Sequence, residues 1–103
     1  MSVVNKPIKI MLVEDQKLMR VGIKSLFEGS DNMEIIKETE TGKDAIECAR
    51  ILKPDVVLMD IGLPDMSGIE VAKKILSDNK KIKIIMLTSH TTEKEVMDLR
   101  NRV

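Results

Sequence analysis

The chain has 103 residues, with Lys plus Arg and Asp plus Glu both at 17, so it fits one domain with a modest core and carries no net charge at pH 7. The balanced charge and the lack of a Lys/Arg cluster argue against direct nucleic-acid binding, and no apolar run nears the roughly 18 residues that span a membrane. The polar stretch from Met1 to Lys9 has no signal-peptide core, and the single Cys48 excludes an intrachain disulfide or a cysteine zinc site, so the expected setting is cytoplasmic.

Ile8 to Val13 is an apolar run bounded by Pro7 and by the acidic pair Glu14-Asp15, and it reads as a buried first strand. From Gln16 to Glu28, the residues Leu18, Met19, Ile23, Leu26 and Phe27 fall near one helical face with Arg20 and Lys24 opposite. Gly29-Ser30-Asp31-Asn32 is turn chemistry that stops this first helix. Met33 to Thr39 is shorter on apolar residues and suits a strand near a sheet edge. Thr41 and Asp44 have capping-box spacing, and Ala45, Ile46, Ala49 and Leu52 repeat at helical intervals until Lys53-Pro54.

Asp55 to Asp60 is the third strand. Ser67 and Glu70 form another capping-box pattern, and Ile69, Val71, Ala72, Ile75 and Leu76 make the following helix amphipathic. Ile82 to Leu87 is the fourth strand, running into Thr88-Ser89-His90, with His90 read as a loop residue. Thr92 and Glu95 offer a cap for a fourth helix marked by Val96, Leu99 and Val103. Strand and helix thus alternate with short connections, which predicts an α/β domain with a parallel sheet and helices on both faces. Phe27 is the only aromatic residue, so the eight Met must fill part of the core, and their packing is adaptable.

The stretch from Leu58 to Gly68 dominates the chemistry. A buried apolar strand ends in the carboxylate of Asp60, and the turn-formers Gly62, Pro64 and Gly68 follow. In an open parallel sheet ligands bind at the carboxyl edge, and right-handed crossovers bring Glu14, Asp15, Asp60 and Thr88 to that edge. Three crowded carboxylates either keep protons or take up a cation, and a hard, oxygen-seeking ion such as Mg²⁺ suits them. The Gly62 backbone carbonyl is available as a further ligand, and the Thr88 hydroxyl could donate to a phosphoryl oxygen. A strand-end carboxylate beside such an ion can act as a nucleophile toward phosphorus. A phosphatase of the haloacid dehalogenase type would need an aspartate at position 62, where glycine stands. A flavodoxin would need a hydroxyl-rich phosphate loop where Glu14-Asp15 would repel the phosphate.

The chain resembles the receiver domain of two-component response regulators, especially of the LuxR-type DNA-binding class. The matching pieces are Ile10 to Asp15, Met19 to Ile23, Pro54 to Gly68 and Ile84 to Ser89. The resemblance implies a flavodoxin-like sheet with the order 2-1-3-4 and a fifth strand at the far edge. It implies a phosphoacceptor, not an enzyme, in which Asp60 takes a phosphoryl group from a sensor histidine kinase. It further implies Mg²⁺ held by Glu14, Asp15, Asp60 and the Gly62 carbonyl, with Thr88 as the phosphoryl-binding switch. Receivers continue into a fifth strand and helix that carry a lysine for the phosphoryl group and a switch aromatic. This chain stops at Val103, so it reads as a C-terminally truncated receiver over residues 1–103 with no output domain. Two expectations follow from that. The fourth strand or fourth helix is exposed and supports a homodimer, and modification of Asp60 is impaired by the missing lysine. The alternative is a non-catalytic interaction or dimerisation module on the same scaffold.

Overall fold

The computed structural model describes residues 6–87. Strands and helices alternate as β1 (Ile8–Val13), α1 (Lys17–Phe27), β2 (Met33–Thr39), α2 (Gly42–Leu52), β3 (Val56–Asp60), α3 (Gly68–Asp78) and β4 (Lys83–Leu87). The strands form one parallel sheet in the order β2-β1-β3-β4, the flavodoxin-like order expected. The strand boundaries agree with the sequence reading to within a residue at each end. The fourth helix, Thr88 and His90 lie outside the described residues.

β1 and β3 read as unbroken apolar runs because both faces of the sheet are covered. On one face Met11 and Val13 of β1 and Val57 and Met59 of β3 pack against Ala45 and Ala49 of α2 and Val71, Ala72 and Ile75 of α3. On the other face Ile10, Leu12 and Leu58 meet Ile23 and Phe27 of α1. Met11 and Met59 are fully buried at the centre of the sheet, where their flexible thioethers fill space that aromatics would otherwise take. β2 is an edge strand as expected, and the pairing skips Ile36 between Ile10↔Ile35 and Met11↔Lys37.

The expected inner face of α1 needs correcting. Leu18 is 85% and Leu26 78% exposed, and only Ile23 and Phe27 reach the core from this helix. At about 100° per residue, Leu18 and Phe27 stand half a turn apart, so the five apolar residues spread over too wide an arc to face one sheet. The inward arc takes in Arg20 instead, whose side chain is only 14% exposed although the pattern placed it opposite the core.

Helix ends follow local chemistry. Thr41 Oγ1 accepts from the Asp44 N–H at 3.2 Å and caps α2 as expected. α2 ends on Lys53 in the left-handed region (φ 48°), whose N–H donates to the Ala49 carbonyl at 3.0 Å before Pro54 bars continuation. At α3, Ser67 Oγ accepts from the Ile69 N–H at 3.1 Å, one residue earlier than the Ser67–Glu70 box requires. An N-cap can serve either position, and Ser67 is already held by its bridge to Gly62.

The packing predicts a sharp contrast between two apolar truncations. Met11→Ala removes a fully buried side chain and should cost roughly 2–5 kcal/mol, whereas Leu18→Ala should stay within about 0.5 kcal/mol of wild type. Urea denaturation of both variants measures this, and a comparable loss for Leu18→Ala would contradict the assigned face of α1.

Candidate functional site

The register of the two central strands builds the site. Val13 of β1 pairs with Met59 of β3, so the next residues on each strand are Glu14 and Asp60. Asp15 follows in the turn into α1. One oxygen from each of Glu14, Asp15 and Asp60 lies within 4.8 Å of the others, which is the convergence the sequence predicted. Asp15 is exposed and Asp60 half-buried, so the cluster opens to solvent at the carboxyl edge of the sheet.

Glu14 is the unusual member. It is only 3% exposed, at the end of an otherwise apolar strand. Its N–H continues the sheet by donating to the Thr39 carbonyl at 3.0 Å, and its Oε2 accepts from the Gln16 N–H at 3.0 Å. Burial raises its pKa above the ordinary glutamate value; the Gln16 N–H opposes this, while Asp15 and Asp60 add to the rise. The fold has placed a carboxylate where its charge is unfavourable unless something positive arrives. The donors are all carboxylate oxygens with no sulfur or imidazole among them, a set that fits a hard divalent cation such as Mg²⁺.

Arg20 does not supply that positive charge to the pocket. Its Nη1 donates to the Glu14 carbonyl at 2.8 Å, and its other nitrogens face Glu40 at 3.0 Å and Glu38 at 3.6 Å. The guanidinium thus ties the turn after β1 to the end of β2, a role that the helical pattern of α1 did not reveal.

The loop after β3 is held closely. The Gly68 N–H donates to the Ile61 carbonyl at 2.7 Å, and Gly62 and Ser67 form an antiparallel bridge. A Cβ on Gly68 would collide with the Asp60 carbonyl oxygen, so only glycine lets α3 start this close to the strand end. The Gly62 N–H donates to Asp60 Oδ1 at 3.3 Å, which orients the carboxylate and leaves the Gly62 carbonyl as a further candidate ligand. The sequence reading gave no role to Asp65, whose two oxygens accept from the Gly42 and Lys43 N–H groups at the start of α2. These partners lie 23 and 22 residues away, beyond the reach of local pattern.

Comparison with known proteins shows the family and the fold. The family model described as the response regulator receiver domain matches residues 10–101. The response regulator protein VraR of Staphylococcus saprophyticus is 41% identical over 90 residues, covering 87% of this chain and 43% of the relative. VraR of a Staphylococcus aureus strain is 42% identical over 89 residues, with 86% and 43% covered. The chain therefore spans less than half the length of the curated relatives it matches. Among solved structures, the response regulator domain of Thermotoga maritima CheB superposes with a TM-score of 0.77 at 33% identity, covering 93% of this chain and 73% of that one. A LuxR-family two-component response regulator from Aurantimonas gives 0.77 at 27% identity, with 93% and 69% covered.

Glu14 makes the metal-free fold sensitive to pH. Its folded pKa is raised, so its contribution is fully present below glutamate's ordinary 4.5 and is lost as pH climbs through the raised folded value. Glu14→Gln keeps an oxygen for the Gln16 N–H and cannot ionise. In chelator at pH 7 its melting temperature should exceed that of wild type, and the gap should close as pH falls toward 4.5. A lower melting temperature for Glu14→Gln at pH 7 would contradict the assigned burial penalty.

Proposed function

The chain belongs to the response regulator receiver domain family of two-component signalling, and from that premise we propose that Asp60 is its phosphoacceptor. The donor is a sensor histidine kinase, and the setting is the cytoplasm. Among the described residues no helix is long and apolar enough to cross a membrane. The observation that carries the reading is the meeting of Glu14, Asp15 and Asp60 at one strand edge, with Asp60 half-buried and reachable.

Glu14, Asp15, Asp60 and the Gly62 carbonyl would hold Mg²⁺, which when bound offsets charge on the phosphoryl oxygens. A carboxylate oxygen of Asp60 attacks phosphorus, and a P–O bond forms as the donor's P–N bond breaks. The imidazole leaves with the electron pair, and Asp60 becomes an acyl phosphate. The Gly62 N–H, 3.3 Å from Asp60 Oδ1, holds that oxygen aside. The chain is the recipient in this transfer rather than the catalyst of a turnover. Thr88, one residue beyond β4, is proposed as the phosphoryl-binding switch. A homodimer through the fourth strand belongs to the same proposal. Among the described residues β4 pairs with β3 alone, and Ile84 to Leu87 are only half-buried.

One set of samples tests pocket and assembly together. Beryllofluoride, which mimics a phosphoryl group on aspartate, should give a bound fluorine NMR signal that requires Mg²⁺ and vanishes in Asp60→Asn. Light scattering on the same samples should give a mass that rises with concentration toward twice that of one chain. A bound signal that persists in Asp60→Asn would overturn the assignment of the acceptor. Failure of wild type to bind at all would favour a non-catalytic interaction module, and a concentration-independent monomer mass would remove the dimer.

A further inference from the structure

We propose that Asp65 is a positioning residue, whose carboxylate holds the start of α2 and thereby fixes the β3–α3 loop that presents Asp60 and the Gly62 carbonyl to a divalent cation. The inference rests on the metal-site reading above.

The loop has a root and a tip. Its root is closed by the Gly68 N–H on the Ile61 carbonyl and by the Gly62–Ser67 bridge, so residues 63–66 form a short projecting tip. Three tip residues anchor it to the rest of the molecule. Leu63 is buried in the core beneath the loop. Asp65 accepts from the Gly42 N–H at 2.8 Å and from the Lys43 N–H at 3.0 Å. Met66 lies against Gly42 so closely that a Cβ there would stand 2.5 Å from Met66 Cγ and 2.6 Å from Val71 Cγ2.

The start of α2 is divided between two caps. A helix leaves its first N–H groups without intrahelical partners. Thr41, the local cap, takes the Asp44 N–H. The Gly42 and Lys43 N–H groups go to Asp65, one to each of its oxygens. A carboxylate that receives two converging N–H groups at the positive end of a helix is fixed in orientation as well as position. Those same bonds hold the Asp65 carboxyl below the usual aspartate range, so it stays ionised when it acts as a cap.

The link to the metal site runs along the loop. The Gly62 N–H sets the Asp60 carboxylate, and the Gly62 carbonyl leaves the same residue. With Asp65 in place, α2 and the loop form one rigid unit at the site's edge. Without it, the root keeps its Gly62–Ser67 bridge but the tip is held by apolar contacts alone, and the angle at which the loop presents the Gly62 carbonyl is no longer tied to α2. Groups that orient metal ligands from outside the ligand set typically change affinity by about 10–100-fold.

The test compares Asp65→Ala with Thr41→Ala, which removes the other cap on the same helix and touches no proposed ligand. Calorimetric titration with Mg²⁺ should show affinity weakened by about tenfold in Asp65→Ala and unchanged in Thr41→Ala, although both melt at lower temperature. The Gly62 amide resonance should move in metal-free Asp65→Ala and stay in place in Thr41→Ala. Should Asp65→Ala fail to fold, Asp65→Asn keeps one carbonyl oxygen and should give a smaller loss of affinity. Wild-type affinity in the Asp65 variants, or an equal loss in Thr41→Ala, overturns the positioning role alone. No Mg²⁺ binding by wild type overturns the site reading and this inference with it.

Discussion

Glu14 is a buried carboxylate at the end of a buried strand, with two more carboxylates beside it. Nothing in hydrophobic packing calls for such a group, since burial and like charge both work against its ionised form. The surrounding structure accommodates it through directional contacts. Its backbone N–H is spent on the sheet, its carbonyl on Arg20 and one side-chain oxygen on the Gln16 N–H. What those contacts leave unresolved is the negative charge shared with Asp15 and Asp60, and that shared charge is what defines the site.

The sheet makes the crowding possible. A parallel order places β1 beside β3, both ending at the same edge, so acids that follow the two apolar runs are level with each other. Helices on both faces bury the strands and lower solvent screening near their ends. The loops then set orientation. Gly68 lets α3 begin against the Asp60 carbonyl, the Gly62–Ser67 bridge closes the loop root, and Asp65 fastens the tip to α2. The loop that follows Asp60 is therefore tied to a helix that contributes no carboxylate to the cluster.

Much of this could be read from the sequence because it is written in short range. Apolar runs ending in Glu14-Asp15 and in Asp60 gave strands and carboxyl edge together, and the capping pattern at Thr41 located the start of α2. The misreadings share a cause. Helical periodicity finds apolar residues without saying which arc meets the sheet, so it turns Leu18 and Leu26 inward and Arg20 outward, the reverse of their exposure in the fold. Asp65 acts across 22 and 23 residues on backbone N–H groups, and backbone donors carry no side-chain signature. The crowding at Gly42 is equally invisible until Met66 and Val71 are brought against it.

On the reading we propose, this edge accepts a phosphoryl group at Asp60. Mass spectrometry of the intact chain after treatment with acetyl phosphate and Mg²⁺, with the modified residue located by peptide mapping after borohydride reduction, tests it most directly. The expected result is one phosphoryl group per modified chain, carried by Asp60, dependent on Mg²⁺ and lost in Asp60→Asn. Modification at another residue, or none with Mg²⁺ bound, would contradict it.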